Sequence, residues 1–234
     1  MKRGAAALLV LSGFLAGCAG TPPPPDWQMN AQSAVDRATS AYLEGNTRVA
    51  DAEWARARSA VRSTGRADLL SRVELSRCAA QLASLDVSRP VACPAFAPLA
   101  QDTGPPEQAY ARFLAGQATP ADVALLPAAQ QALAVWDSAA GAAQAMDRLR
   151  AIGEPLPRLV AAAALLQRLP SAGLQPGDGL ELAALAIETA SAQGWRRPLL
   201  AWLVLQESWA QQAGNTALAD QARRRLALVK GAGG

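Results

Sequence analysis

The residues with the clearest chemical potential lie near the C-terminus, in Leu205-Gln206-Glu207-Ser208-Trp209. A glutamate in apolar surroundings that raise its pKa can serve as general acid on a glycosidic oxygen. Trp195, Trp202 and Trp209 are spaced seven apart, with Leu199, Gln206 and Ala213 between them on the same stripe. A heptad on a straight helix drifts by only about 20°, so if Trp195 is already helical the three indoles share one face. They are then a possible binding surface for sugar rings or an apolar partner. The more ordinary role of such rings is core packing between helices.

Other chemistries are missing at the level of residue type. The chain has no histidine, which removes Ser-His-Asp triads, Cys-His pairs and ordinary zinc hydrolase sites. No phosphate loop or dinucleotide fingerprint occurs, and the glycines of Gly173 to Gly179 lack both a preceding strand and a phosphate-binding lysine. Arg223-Arg224-Arg225 falls on a predicted helix whose Leu218, Ala222, Leu226 and Val229 face inward, and reads as solvated arginines that suit a helix C-terminus. No catalytic, cofactor or metal residue is assigned, and the chain reads as a non-enzyme.

Glu207-Ser208-Trp209 nevertheless resembles the Glu-Ser-X-aromatic setting of lytic transglycosylases, which implies a rival function in binding or cleaving peptidoglycan. The aromatic here comes one position early. Residues 208–234 hold no Gly-Leu-Met-Gln segment and leave no length for a sugar cleft.

At the other end, Lys2 and Arg3 precede the apolar run Ala5 to Leu11, and Phe14-Leu-Ala-Gly17 precedes Cys18. This is the order of a secretory signal over residues 1–17. The apolar run is too short for a hydrocarbon core that needs about 20 residues. Leu15-Ala16-Gly17-Cys18 resembles the lipobox of bacterial lipoproteins. The resemblance implies cleavage before Cys18, a diacylglycerol on its thiol and acylation of its new amine. About 0.8 kcal/mol per buried methylene makes three acyl chains a stable membrane anchor. Ala19 stands where an aspartate would favour inner-membrane retention in this family, so the outer membrane, periplasmic face, is expected. Residues 18–26 then form the tether, in which Pro22 to Pro25 make a stiff extended spacer rising about 3.1 Å per residue.

Loss of the signal also changes the charge balance. The 22 basic residues lose Lys2 and Arg3 and face 19 acidic ones, leaving a nearly neutral chain. The basic pI of about 9.0 is therefore no argument for nucleic acid, which requires a clustered positive face.

Alanine and leucine dominate, β-branched and aromatic residues are sparse, and no strictly alternating run stands out; these features predict an all-α fold. Ala34, Val35, Ala38, Ala41 and Tyr42 fall on one helical face, and Gly45 supplies a left-handed stop. Asn46 or Thr47 can cap a second helix bearing Ala50, Trp54, Ala57 and Val61, which ends near Gly65. A third helix is expected over Arg66 to Asp86, with Leu75, Cys78, Leu82 and Leu85 as its stripe. These make an N-terminal lobe over residues 27–87. Pro90, Pro94, Pro98, Pro105 and Pro106 mark residues 88–106 as an irregular crossover.

A second lobe over residues 107–230 follows, then a flexible tail at 231–234. Its helices are expected over Glu107 to Ala115, Pro127 to Ala139, Gly141 to Ile152 and Pro157 to Leu169. Later helices are expected from Asp178, from Arg197 to Ala213 and from Thr216 to Val229. Thr119-Pro120-Ala121-Asp122 carries the signature of a helix start.

Gly45-Asn46-Thr47-Arg48-Val49-Ala50-Asp51 is echoed by Gly214-Asn215-Thr216-Ala217-Leu218-Ala219-Asp220. With Ala38, Gly45, Ala50, Trp54 and Ala57, this hairpin resembles the tetratricopeptide repeat, in which small residues let paired helices approach and a large one fills the gap. Arg62 replaces the closing proline, and Arg223 stands in the second copy where Trp54 stands in the first. The resemblance implies antiparallel helical hairpins, tetratricopeptide-like or stacked into an irregular α-superhelix.

With Cys18 committed to lipid, Cys78 and Cys93 remain as a pair in an oxidising compartment, where a structural disulfide is expected. Two buried free thiols are the alternative; a redox pair lacks the Cys-X-X-Cys spacing. The functional expectation is a lipid-anchored periplasmic scaffold that binds a protein partner, without cofactor or nucleic acid.

Overall fold

The computed structural model describes residues 24–87, 93–134, 141–172 and 176–231. Cys18, the signal segment, Pro22 and Pro90 fall outside these residues. The fold is all-α, built from antiparallel helical hairpins, with no strand among the described residues.

Helix α1 (Asp26–Glu44) and helix α2 (Thr47–Arg62) form the first hairpin. Asp26 lies in the first turn of α1, where a carboxylate suits the positive end of the helix dipole. Gly45 ends α1 at φ +100°, with the Asn46 N–H on Ala41 O at 2.7 Å and the Gly45 N–H on Tyr42 O at 3.1 Å. That pattern is a Schellman stop, and it needs a residue without a Cβ penalty at positive φ. Ala38, Ala50 and Ala57 are fully buried, so the backbones of α1 and α2 approach closely, and the buried Trp54 fills the space beside them.

Helix α3 (Ala67–Ala83) follows and ends three residues before the expected Asp86, in a turn that places Leu85 at φ +53°. Three of the four described prolines of the crossover start helices rather than break them. Pro94 lies in a turn, Pro98 opens a short 3₁₀ segment (Ala97–Asp102), and Pro105 and Pro106 occupy the first turn of α4 (Pro105–Leu114). A first-turn residue has no N–H partner within its helix, so proline loses nothing there. Thr119 to Asp122 likewise starts a turn of 3₁₀ helix, Pro120–Leu125.

Helices α5 (Ala128–Ala134), α6 (Gly141–Ala151) and α7 (Pro155–Ala172) come next. They are followed by α8 (Pro176–Ala192), α9 (Arg196–Gln212) and α10 (Thr216–Gly231). The α9–α10 turn repeats the first one. Gly214 has φ +71°, the Asn215 N–H bonds to Ala210 O at 2.8 Å, and the Gly214 N–H bonds to Gln211 O at 3.0 Å. The sequence echo is therefore also a backbone echo. Only the second copy uses its asparagine as a cap, with Asn215 Oδ1 accepting the Leu218 N–H at 3.1 Å.

Two apolar clusters hold these helices, and α3 belongs to both. Its Val73 and Ala80 join the α1–α2 cluster, while Leu75, Cys78, Leu82 and Ala83 join the larger one formed by α4 to α10. Leu156 and Trp195 pack against both clusters. The chain also closes on itself, because α9 packs against α1. Arg197 seals that contact: its Nε donates to Tyr42 O at 2.8 Å, an Nη donates to Thr47 Oγ1 at 2.7 Å, and its guanidinium lies 4.2 Å from the Tyr42 ring centre. A one-dimensional repeat array, in which each unit touches only its neighbours, has no such contact.

Candidate functional site

Two side-by-side hollows lie along α1. One, of about 420 Å³, sits between α1 and α3; the other, of about 760 Å³, extends to the starts of α5, α7 and α9. Gln32, Val35 and Ser76 border both, which makes them a single groove. Every turn of α1 contributes, from Trp27 through Ala31, Val35 and Thr39 to Leu43. At about 1.5 Å per residue that ladder is roughly 24 Å long. α3 answers with Leu69, Val73, Ser76 and Ala79, residues at the three- and four-residue spacing of one helical face. The first helix of the hairpin thus has two working faces: Ala34, Ala38 and Ala41 are buried toward α2, and the Val35 face looks into the groove.

The larger hollow combines apolar walls with a few polar groups. Leu156, Pro157, Val160, Trp195 and Tyr110 supply apolar and aromatic surface. Tyr110 is stacked on Phe113 with ring centres 6.2 Å apart, and burial pushes its phenol pKa upward, so it stays a neutral hydroxyl. Gln130 is only 3% exposed, and its Oε1 has no hydrogen-bond donor among the described residues. A buried amide oxygen without a partner costs free energy that a bound donor would recover.

The groove is electrostatically uneven. Arg66 and Arg72 border the smaller hollow, but Asp68 pairs with the first at 2.6 Å and Glu107 with the second at 2.7 Å. The charged residues bordering the larger hollow are Asp36 and Glu154, both exposed and both acidic. Asp36 accepts only from Gln32 Nε2, at 2.9 Å, and Glu154 makes no ion pair among the described residues.

Farther from the groove, the ionisable groups are tied into structure. Asp122, 2% exposed, accepts from both Arg112 and Thr119; the Arg112 guanidinium, then the Thr119 N–H and hydroxyl, hold its carboxyl well below the usual carboxylate range. Burial, then the hydrogen bond to Asp86 at 2.6 Å, raises the Tyr42 phenol. No group of three or more potential metal ligands occurs among the described residues.

The tryptophan stripe does not form an exposed platform. Trp195 is extended, at φ −78° and ψ 93°, and precedes α9, so it leaves the heptad face and borders the groove instead. Trp202 is fully buried, and its Nε1 donates to Ala83 O at 3.0 Å. Trp209 is half-buried against α8, where a Cβ on Gly179 would come within 3.0 Å of its ring. The physical reason is packing demand: α9 lies between α8 and α10, and large indoles on its inner faces bury more apolar area than any alternative. Glu207 borders neither hollow, and its carboxylate pairs with Arg223 at 3.0 Å. Trp195 alone of the predicted surface residues reaches the groove.

Cys78 and Cys93 are joined in a disulfide with their Cα atoms 5.7 Å apart, tying α3 to the turn before the 3₁₀ segment. No family model, curated protein sequence or solved structure matches this chain. No helix among the described residues is long and apolar enough to cross a membrane. Sequence reasoning missed Gln130, Tyr110, Asp36 and Glu154 as a group. They come from four separate segments, and only the polar residues Gln32, Asp36 and Ser40 on the otherwise apolar side of Val35 hint that α1 has a second face.

Proposed function

We propose that this chain is a lipid-anchored periplasmic lipoprotein of the outer membrane that acts as a protein-binding scaffold, with the α1–α3 groove as its docking surface. The lipobox-like Leu15-Ala16-Gly17-Cys18 supports the anchor. The observation that carries the docking role is the α1 ladder, one residue per turn from Trp27 to Leu43, which lines the groove along its length. A groove of this size with sparse polar groups fits a ligand site.

Two experiments test this reading. Radiolabelled fatty acid should appear on the full chain and disappear with Cys18→Ser; unlabelled parental protein sinks the anchor. A photocrosslinker placed at Thr39, inside the groove, should give a discrete protein adduct, whereas one at the exposed Leu228 should not. Equal adducts from both positions, or none, would count against docking in the groove.

A further inference from the structure

Three observations converge on the chemistry of the groove's occupant. The acidic side chains bordering the larger hollow, Asp36 and Glu154, have no cationic partner among the described residues, while the arginines of the smaller hollow are already paired. The same hollow is lined by aromatic and proline surfaces, Trp195 and Pro157 among them. Gln130, which lines the same hollow, has a buried carbonyl oxygen with no donor among the described residues. Unpaired carboxylates at a rim favour a positively charged group. An aromatic wall accepts its aliphatic neighbours, and a buried acceptor favours a ligand that brings an N–H.

We infer that the larger hollow binds a peptide segment carrying a lysine or arginine flanked by apolar side chains. The basic group lies between Asp36 and Glu154, the apolar neighbours rest on the Trp195 and Pro157 surface, and a peptide N–H donates to Gln130 Oε1. This inference rests on the protein-docking reading of the groove and adds the partner's chemistry. A metal ion would satisfy the carboxylates but leave the apolar wall and Gln130 unused. An acidic segment would meet two like charges with no compensating cation.

The test uses the full chain and fluorescein-labelled synthetic peptides with one lysine or arginine between leucines and phenylalanines, together with versions carrying glutamate or norleucine at that position. Anisotropy should show binding of the basic peptides and a preference over norleucine that weakens as salt is added. Combining Asp36→Asn with Glu154→Gln should reduce that preference by about tenfold, the modest effect expected of exposed ion pairs. Gln130→Leu should weaken binding while leaving thermal stability equal or higher, because it removes an acceptor that the fold does not use. Equal binding of lysine, norleucine and glutamate peptides would overturn the charge assignment while leaving the docking reading intact. If no peptide binds, the docking reading falls as well, and binding to purified wall sacculi would then assign the groove to peptidoglycan.

Discussion

Trp202 gives the plainest case of a residue whose surroundings decide its role. It is fully buried and spends its one polar atom on the last turn of α3, so it joins two helices that are distant in sequence. Trp202→Ala is expected to destabilise the protein by about 3–5 kcal/mol, and Trp202→Phe by less, mainly through the lost hydrogen bond at about 1 kcal/mol. Urea unfolding at constant m-value measures both. Asp122 makes a pH prediction. Its folded pKa is depressed by Arg112 and Thr119, so its contribution is present above the unfolded aspartate value of about 3.9 and is lost as pH falls toward the folded value. Asp68 and Glu53, lowered mainly by hydrogen bonds from Arg66 and Arg37, have the same sign. Asp122→Asn should therefore lower Tm at neutral pH and flatten its decline on acidification, the two proteins converging at low pH; a constant gap across the titration would contradict this.

The same turn sequence, Gly-Asn-Thr, closes both the α1–α2 and α9–α10 hairpins, yet the side chains are put to different uses. Asn215 caps α10 through Leu218, whereas Asn46 makes no side-chain cap to α2. Asn215→Ala should cost about 1 kcal/mol, the usual value of a lost cap, and Asn46→Ala should cost clearly less. Thermal melts of the two variants side by side decide it. The first turn is held instead to the rest of the fold, with Arg197 donating to Thr47 Oγ1. Helix existence was legible in the spacing of Ala34, Ala38, Ala41 and Trp54. The longer start of α7 at Pro155 was not, since proline has opposite effects at a first turn and in a helix interior.

For the molecule as a whole, Arg197 is the joint between the two ends of the fold. Through Tyr42 and Thr47 it fixes the first hairpin turn against the start of α9, and Asp86 lies 4.0 Å from its guanidinium. Arg197→Ala should destabilise by about 2 kcal/mol, from two hydrogen bonds and a cation–π contact. Hydrogen exchange should report faster opening of the α1–α2 turn and the first turn of α9 than of α7. Uniform acceleration across all helices would mean that the contact does not define a separable joint. The consequence for function is direct: Trp195 stands two residues before Arg197, so the same contact sets one wall of the groove.

Composition and helical periodicity were enough to specify an all-α chain of hairpins, because alanine-rich stripes and glycine stops act within a few residues of one another. The Cys78–Cys93 pair was legible as well, once Cys18 was assigned elsewhere. Which aromatic faces solvent was not. Trp195, Trp202 and Trp209 have identical spacing, but α8 and α3 pack over two of them and the extended backbone at Trp195 turns the third toward α1. The groove itself belongs wholly to the tertiary structure, since Asp36, Tyr110, Gln130 and Glu154 come to line one hollow only when α1, α4 and α7 pack on α3 and α5 packs on α7. Long-range packing, which no local pattern encodes, brings them together.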